Sequence, residues 1–594
     1  MPPETRRAAR AAAESAAAPS SSPAPTKTKR SKEDRRRRRR IIVAVVVVVI
    51  LALAAWLAYR ALTVKNDLTD ARAALTAASD GGDVAATFGT LADKAESAAS
   101  VAYDPVWRLA EFVPWAGDNL RGVRLAAEAL DVLANDIGMP VLEMQTDGEG
   151  GILARVLPVI QSGANALRPV TEDLLKVAAS SSLIGPVRDG VDEIAAVLEP
   201  AQPLLDILPA LLGADASKNY LLVFQNNAES LPLGGSAASQ SLVTADAGDL
   251  EITTQASSGS FEEKETVDFE VSEGAAALYG SVLGKRINMS TTQPDWPTAA
   301  QMIVAFWNRD IDDTQIDGVI SIDPVALSRI LVATGPITVG DVTIDSKNAV
   351  QILLSDVYEK WDAYTKSGAK ASDAFFAATA SQMFEKVAAG DFDLKDMAWA
   401  VNESVDRGSI MAWMADADMQ STIERSGRIA GILPTDNEES TAVGVYLRDV
   451  SASKIDYYMD SESAATMTCA DGTATLTVDT TLHLDITQKA ADALPRYVQS
   501  FRNGSSYYST QVYLYAPPGM TLSDTAVEGN WVEPFREGNV DLGRVVAPFQ
   551  MRIAPGETVT VSATFTGDGE FGPLDVWTTP TVRGSAVTVT DSCR

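Results

Sequence analysis

The sequence predicts a multidomain α+β protein with an N-terminal transmembrane helix, a helical membrane-proximal region, an α/β layered core domain and a C-terminal β-sandwich. Three observations predict this order: one long uncharged apolar run, then apolar residues at helical spacing, then strand–helix alternation that gives way to alternating strands. The predicted segments are a disordered basic tail (1–40), the transmembrane helix (41–61), the helical region (62–215), the core domain (216–435) and the sandwich (436–594).

The membrane prediction rests on an arginine run followed by an apolar run. Six arginines at residues 35–40 precede nineteen uncharged residues at 41–59. As a helix these nineteen residues reach roughly 28 Å, about the thickness of a bilayer core. Trp56 and Tyr59 lie near its far end, where amphipathic rings favour the interface. The arginines favour a cytoplasmic N-terminus, so we expect a single span with the rest of the chain outside the cell.

A cleaved signal peptide is the alternative to a permanent anchor. Its apolar region is normally about 7–15 residues long and ends at a small-residue cleavage site. The run here is longer, and Arg60 follows it without a clear cleavage site. No later segment is judged apolar for long enough to span again, which favours one uncleaved anchor.

Charge is distributed unevenly along the chain. Residues 1–40 hold 13 basic and 4 acidic residues, a net charge of +9, so the remainder, with 36 basic and 75 acidic residues, carries −39. The basic tail fits the anionic inner leaflet. An acidic exterior argues against nucleic acid as a partner and suits a soluble surface or one that collects divalent cations.

The few cysteines and histidines restrict the chemistry. Cys469 and Cys593 both fall on the expected outer side, where a disulfide between them is plausible; two free thiols are the alternative. The single histidine, His483, lies in an alternating strand pattern and reads as a surface strand residue. Zinc sites, Ser-His-Asp triads and Cys-His pairs need side chains that this chain lacks.

The helical region has apolar residues at helical spacing over residues 62–212, in five or six predicted helices. The predicted breaks fall at 80–82, near Pro105 and Pro114, at 148–151, and near 185–186, Pro200 and Pro203. Residues 1–34, rich in alanine, serine and proline, are predicted to be disordered. We interpret the helices as a membrane-proximal bundle or stalk rather than a ligand sensor.

The predicted core domain starts with a buried strand, YLLVF at 220–224, followed by strands at 241–244 and 250–254. A strand at 318–322 precedes a helix in which Asp323 is suited to the N-cap and Pro324 to the first turn. Further helices are predicted at 298–307, 349–361, 371–389, 393–404 and 420–428. The sandwich strands are predicted at 443–447, 454–459, 473–486, 509–516, 558–565 and 586–590.

Polar residues and glycines follow the first core strand. They are Gln225, Asn226, Asn227, Glu229, Gly234 and Gly235. Open α/β sheets place ligands just beyond the carboxyl ends of their strands, amides suit carbohydrate hydroxyls or peptide groups, and glycines allow a close backbone approach. The structural alternative is that these amides only cap strands and turns.

Other candidates lie further along. Asn288, Asp295, Trp296 and Asp323 complete the ligand-binding set; Glu229 and Asp295 suit an acid/base pair, and Trp296 suits either sugar stacking or a core. The metal candidates, for Mg²⁺ or Ca²⁺, are Asp310, Asp312, Asp313 and Asp317. Their spacing is not that of an EF-hand, and a solvated acidic loop is the alternative.

A family resemblance is carried by NYLLVFQNNAESLPLGGS at residues 219–236. Matching stretches follow at 278–280, 288–290, 294–301, 317–328, 348–350, 356–358, 444–447 and 453–458. Together they resemble domain-of-unknown-function family 4012 (DUF4012), found in actinobacterial envelope proteins. Leu233 departs from the pattern, because relatives typically have threonine there. The resemblance implies membrane anchorage and an envelope setting, and no reaction.

A second similarity, over residues 317–339, is to LytR-CpsA-Psr proteins, which transfer glycopolymers from a polyprenyl diphosphate lipid by means of arginines, aspartates and a divalent metal. Their arginine–aspartate motif is not visible here. The expected function is therefore an ectodomain that binds or scaffolds cell-wall glycopolymer or its assembly machinery without catalysis. The alternative is a metal-dependent transferase or hydrolase with Asn226, Asn227, Glu229 and Asp295 near its site.

Overall fold

The computed structural model describes residues 32–79, 84–114, 116–146, 151–263, 265–535 and 539–593. Residues 1–31, most of the expected basic tail, lie outside the described residues. So do two of the expected helix breaks, residues 80–82 and 148–150.

The N-terminal part is helical, as expected. Its helices are α1 (Lys32–Ser79), α2 (Val84–Ala99), α3 (Pro105–Ala110), α4 (Gly117–Asp131), α5 (Met139–Thr146), α6 (Ile152–Ala178) and α7 (Gly185–Leu211). Residues 32–40 belong to α1 and not to the disordered tail, which corrects the predicted boundary. Lysine, glutamate and arginine are good helix formers, and adding residues to an existing helix is far easier than starting one.

Two helices are long and apolar enough to cross a membrane: α1 over Arg37–Ala71 and α7 over Gly185–Leu211. The expectation that no later segment reaches this length and hydropathy is therefore wrong for α7. The two helices differ in their surroundings. None of the apolar window of α1 is buried in protein, whereas 22% of the α7 window is. Leu198 of α7 is fully buried and shares a core with Leu167 and Leu174 of α6.

Helix α1 continues without a break from its apolar segment into the helical region. Beyond the apolar run, Val64 and Ala71 are buried against neighbouring helices. Trp56 Nε1 donates to Asp104 Oδ2 at 2.8 Å, and Arg60 lies 3.3 Å from the same carboxylate. The bundle is thus joined to the apolar segment by packing and by polar contacts.

The central part holds a five-stranded mixed sheet in the order β3-β2-β1-β4-β7 and a small β5–β6 hairpin. The strands are β1 (Lys218–Leu231), β2 (Gly234–Asp246), β3 (Asp249–Ser257), β4 (Gly318–Ile322), β5 (Ile337–Val339), β6 (Val342–Ile344) and β7 (Ile410–Met414). The helices are α8 (Glu273–Tyr279), α9 (Trp296–Asp310), α10 (Pro324–Thr334), α11 (Ala349–Gln351), α12 (Val357–Lys360), α13 (Lys366–Ala389), α14 (Leu394–Asp406) and α15 (Ala417–Arg425). The predicted N-cap Asp323 and the strand Gly318–Ile322 are confirmed.

The first strand differs from the prediction. It runs to Leu231 instead of ending at residue 224, because it forms a hairpin with β2 whose pairing resumes after irregularities at Phe224/Gln225 and Asn226/Ser230. Only β1 and β4 are parallel in this sheet. The polar residues after Phe224 therefore belong to an irregular hairpin and not to a ligand-binding edge of parallel strands.

The C-terminal part consists of two sheets in the orders β12-β16-β10-β9-β18 and β13-β15-β11-β8-β17, with β14 paired to β15. Their elements are β8 (Thr441–Asp449), β9 (Met459–Ala470), β10 (Thr473–Leu484), α16 (Gln488–Ala493), β11 (Tyr508–Tyr515), β12 (Thr521–Glu528), β13 (Val532–Pro534), β14 (Asn539–Asp541), β15 (Arg544–Ile553), β16 (Thr558–Asp568), β17 (Leu574–Thr578) and β18 (Ser585–Asp591). One apolar core, which includes Val478, Val512 and Phe565, takes residues from both sheets.

The strand predicted at 454–459 is wrong. Residues Ile455–Tyr458 form a 3₁₀ turn, and β9 starts only at Met459. The Asp449 carboxylate accepts hydrogen bonds from the backbone N–H groups of Ser451 and Ser453, which closes a loop before the turn. Short side-chain–backbone bonds of this kind compete with a strand ladder.

A second core crosses the predicted boundary near residue 435. It includes Trp296 and Trp307 of the central part together with Tyr446, Tyr513 and Tyr515 of the C-terminal sheet, all less than 5% exposed. Tyr515 also hydrogen-bonds across this contact, with its hydroxyl 2.5 Å from that of Tyr279. The central and C-terminal parts therefore share an apolar core.

The predicted disulfide is confirmed: Cys469 at the end of β9 is bonded to Cys593 after β18, across a sequence separation of 124 residues. We expect Cys469→Ser to lower the free energy of unfolding of the C-terminal part by up to about 4–5 kcal/mol, because the unfolded chain loses a long covalent loop. Calorimetric melting of the full chain measures the effect. The double Cys469→Ser/Cys593→Ser variant serves as control and should melt like the single variant; unchanged melting in both would contradict the prediction.

Candidate functional site

A cavity of about 490 Å³ lies between the β1–β2–β3 face of the central sheet and helix α13. Five of the predicted ligand-binding residues line it: Gln225, Asn226, Glu229, Asn288 and Asp323. Further walls come from β2, β3, α10, residues 353–363, α13 and two residues beyond the central part, Lys454 and Tyr497. The structure thus collects half of the sequence-predicted candidates at one place.

The two amides nearest the start of the hairpin are bonded within the protein. Asn226 Nδ2 donates to the Tyr358 hydroxyl at 2.7 Å, and its Oδ1 accepts from the backbone N–H of Ala228 at 3.1 Å. Gln225 Oε1 accepts from the backbone N–H of Gly235 at 2.9 Å. These bonds hold the irregular part of the hairpin, where the regular ladder is interrupted.

Asn227 is fully buried and links three parts of the chain. Its Nδ2 lies 2.9 Å from Asp323 Oδ2 and 2.9 Å from the Pro580 carbonyl oxygen. Asp323 in turn caps α10, accepting from the backbone N–H of Ala326 at 2.7 Å. Burial raises the pKa of the Asp323 carboxyl, and the bonds from Ala326 and Asn227 oppose that rise. One amide therefore fastens β1 to α10 and to the segment after β17.

The backbone conformation of the hairpin is sufficient to explain why glycine occupies positions 234 and 235. Gly234 has a φ of +118°, a conformation that residues with a side chain rarely adopt. A Cβ atom on Gly235 would lie 2.2 Å from the carbonyl oxygen of Asn226. Both glycines are needed for the hairpin to close, and neither lines the cavity.

The charged group of the cavity wall is an ion pair between Glu229 and Lys454. Ser236 Oγ donates to Glu229 Oε2 at 2.5 Å. Lys454 Nζ also lies 4.5 Å from the ring centre of Tyr358 and 5.0 Å from that of Tyr497. Burial by itself lowers the pKa of Lys454, but the charge of Glu229 and the two tyrosines outweigh it, so the pKa is raised. Lys454 remains a cation.

Two buried carboxyl groups next to this pair were missed as site residues. Asp456 Oδ2 accepts from the backbone N–H of Ser230 at 2.9 Å, and burial followed by the charge of Asp449 raises its pKa well above the usual range. Burial also raises the pKa of Asp449, to about 6. From the sequence, residues 453–458 are a family match and most of a predicted strand, and a lysine and an aspartate on either side of Ile455 are the signal that could have indicated a buried polar cluster.

Asp295 and Trp296 do not belong to the cavity. Asp295 caps α9, accepting from the backbone N–H of Thr298 at 3.0 Å, and burial raises its pKa. Trp296 is fully buried in the core shared with the C-terminal sheet, so sugar stacking on it is excluded in this arrangement. Neither residue lines the cavity that contains Glu229, and the proposed Glu229–Asp295 pair is not assembled there.

The four metal candidates are dispersed among other contacts. Asp310 accepts from Arg309 Nη2 at 2.7 Å and from the backbone N–H of Glu262 at 3.1 Å. Asp317 lies 2.9 Å from Lys218 Nζ, whereas Asp312 and Asp313 are exposed. Within the described ranges, no group of three or more histidine, cysteine, aspartate or glutamate residues could hold a metal ion.

The cavity also carries one buried polar atom that has no partner among the described residues. Gln240 is fully buried, lines the cavity, and has a side-chain oxygen without a hydrogen-bond partner among the described residues. Several serines line the same space: Ser236 and Ser241, whose hydroxyls bond to Glu229 and Gln255, and Ser239, Ser257, Ser258 and Ser260. Because buried polar atoms are nearly always paired, the Gln240 oxygen indicates a missing donor.

We expect Lys454→Met to lower the free energy of unfolding by about 2–4 kcal/mol, because Glu229 would lose its partner in a largely desolvated place. The Glu229 side chain keeps 27% of its exposure, which limits the loss. Removing both charges, in Glu229→Gln/Lys454→Met, should recover most of the stability, and Lys370→Met at the cavity rim is the control. Denaturant unfolding of the full chain in detergent measures these three variants and the single variant Glu229→Gln against the wild type. Additive losses in the double variant would show that the pair is not coupled.

Comparison with known proteins matches a central segment of the chain to a protein family. A family model described as a protein of unknown function, DUF4012, covers residues 215–358. No curated protein and no solved structure matches the chain. The matched segment contains the β1–β2 hairpin, Asp323 and Tyr358, and it agrees with the resemblance seen in the sequence. Residues 215–358 of this chain therefore match the DUF4012 family of proteins of unknown function.

Proposed function

We propose that this protein is a single-pass anchor of the actinobacterial cell envelope, with its N-terminus in the cytoplasm and the chain beyond α1 outside. Its cavity between the central sheet and α13 binds the carbohydrate part of a cell-wall glycopolymer, which the protein holds without transforming it. In this proposal residues 216–435 act as an α/β core domain and residues 436–594 as a β-sandwich that completes the cavity wall through Lys454 and Tyr497.

The membrane part of the proposal is supported by the apolar surface of α1 and by a second apolar patch at its outer end. Tyr103, Leu109 and Phe112, around α3, are 91%, 71% and 81% exposed. Asp104, next to Tyr103, is bonded to Trp56 at the end of the apolar run. Large exposed apolar side chains beside an interfacial tryptophan suit the headgroup region of a bilayer.

The carbohydrate part of the proposal rests on the unpartnered Gln240 oxygen in a cavity lined by serine hydroxyls. Sugars present many hydroxyl groups, each a donor and an acceptor, and side-chain hydroxyls and amides can satisfy both roles. Phe376, Tyr358 and Tyr497 add aromatic surface to the same cavity. The volume of about 490 Å³ is that of a typical small-ligand pocket and would take a short saccharide segment.

The absence of turnover is proposed because the motif side chains are already engaged. The amides of Gln225 and Asn226 and the amide nitrogen of Asn227 bond to protein groups, and Glu229 pairs with Lys454. A catalytic carboxylate must reach the proton that it transfers, and both oxygens of Glu229 are already bonded, one to Lys454 and the other to Ser236. A metal-dependent transferase or hydrolase, similar to LytR-CpsA-Psr proteins, is the alternative.

The test is binding of soluble glycans, released from purified actinobacterial cell walls, to the full chain in detergent. Ala374, on the exposed side of α13, lines the cavity, whereas Ala378 on the same helix does not. We expect Ala374→Trp to weaken binding at least about tenfold, or 1.4 kcal/mol, by filling the cavity, and Ala378→Trp to leave it unchanged. Gln240→Leu should weaken binding as well.

Two results would contradict the proposal: no binding by the wild-type chain, or equal binding by the Ala374→Trp and Ala378→Trp variants. Product analysis on the same samples separates binding from catalysis. A change in glycan length or linkage that requires the wild-type protein would favour the transferase or hydrolase alternative.

A further inference from the structure

A second cavity, of about 680 Å³, lies on the other side of the Asn227 contact and is lined by four arginines. They come from separate parts of the chain: Arg329 in α10, Arg407 after α14, Arg428 before β8 and Arg583 after β17. Among the described residues that line it, Asp406 is the only acidic one. Such a collection is unexpected in a protein with a net charge of −30.

Three of these arginines form ion pairs with carboxylates that do not line the cavity. Arg428 Nη2 lies 2.6 Å from Asp575 Oδ1, and its guanidinium stacks on the Trp577 ring at 4.5 Å. Arg583 is paired with Asp460 and Asp485 in the same manner. Each guanidinium carries five N–H donors, so these contacts orient the arginines and leave donors free for a ligand.

Arg407 is the third, bonded through Nε to Glu403. Its Nη1 and Nη2 make no hydrogen bond to any residue in the described part of the chain. They are therefore available to the cavity that Arg407 lines.

Arg329 has no carboxylate within ion-pair distance among the described residues; its hydrogen bond is from Nη1 to Ser404 Oγ at 3.3 Å. Burial lowers its pKa, the charge of Asp323 opposes this, the charge of Arg407 lowers it again, and the charge of Glu403 raises it. Two neighbouring guanidinium groups repel each other; Glu403, which is bonded to Arg407, offsets part of this repulsion, and a bound anion would offset more of it.

A buried hydroxyl group at this cavity also lacks a hydrogen-bond partner among the described residues. Thr581 is 5% exposed and lines the cavity, and its hydroxyl oxygen has no hydrogen-bond partner within the described ranges. A buried hydroxyl group without a partner lowers the stability of the folded state. We therefore expect a ligand atom that accepts a hydrogen bond from the Thr581 hydroxyl.

We propose that this arginine-lined cavity binds a phosphoryl anion, as found in a phosphodiester-linked polymer or in a diphosphate. Guanidinium groups match the geometry of phosphate oxygens, and several of them around one space select a multiply charged anion over a carboxylate. The Thr581 hydroxyl donates to one of its oxygens. The site is separate from the glycan cavity, and the proposal does not depend on glycan binding.

Calorimetric titration of the full chain in detergent with inorganic pyrophosphate tests the site. We expect saturable binding that Arg329→Gln weakens at least about tenfold and Thr581→Val weakens severalfold. Arg425→Gln, an exposed arginine outside the cavity, should bind as the wild type does. Thr581→Val is nearly isosteric and removes an unpaired group, so it should fold at least as stably as the wild type; melting of each variant confirms this.

Two further ligands distinguish the source of the phosphoryl group: a glycerol-phosphate oligomer joined by phosphodiesters, and farnesyl diphosphate. Tighter binding of the oligomer assigns the site to a polymer, and tighter binding of the diphosphate assigns it to a lipid-linked precursor. The absence of wild-type binding to all three phosphoryl probes would overturn the proposal. Unchanged affinity in folded Arg329→Gln and Thr581→Val variants would do so as well.

Discussion

The buried Asn227 amide is the contact on which the arrangement of both cavities depends. It bonds to the cap of α10 and to the backbone of the segment after β17, which bring Asp323 and Pro580 together. In a place with no exposure to water each of these bonds must be made, because an unpaired buried group costs about 1–3 kcal/mol. A few polar bonds therefore fix how the central sheet, its helices and the C-terminal sheets are placed.

Both cavities follow from this placement. On one side, the hairpin and α13 enclose a space whose wall is completed by Lys454 from the C-terminal part. On the other, Arg329 from the central part meets Arg583 from the C-terminal part. Each wall thus needs residues from both sides of the predicted boundary near 435, and the shared core around Trp296 and Tyr446 keeps those sides in register. The proposed glycan and phosphoryl ligands would occupy spaces that neither part forms alone.

The sequence predicted correctly those helices, strands and caps that depend on interactions between residues close together in the chain. The apolar run of α1, the strand at Gly318–Ile322 and the cap of α10 depend on neighbouring residues, and all three are found. The pairing of Cys469 with Cys593 could be predicted because the chain has only two cysteines. The β1–β2 hairpin was missed because its irregular part is held by side chains, Gln225 and Asn226, that resemble loop residues.

The composition of the sites depended on long-range contacts, which no spacing in the sequence reveals. Lys454 reaches Glu229 across 225 positions, and Thr581 lines the same cavity as Arg329 although the two are far apart in the sequence. Asp295 and Trp296 illustrate the reverse error. They lie within the family pattern, yet one caps a helix and the other fills a core. A recurring motif can thus mark packing as readily as a ligand site.

Hydrogen–deuterium exchange of the Asn227→Ala variant against the wild-type full chain tests the central role of this amide most directly. We expect faster exchange at two places distant in sequence, the first turn of α10 and residues 579–584, because both lose their shared partner. Exchange that increases only within the β1–β2 hairpin would show that Asn227 acts locally, and would contradict the claim that it holds the central and C-terminal parts together.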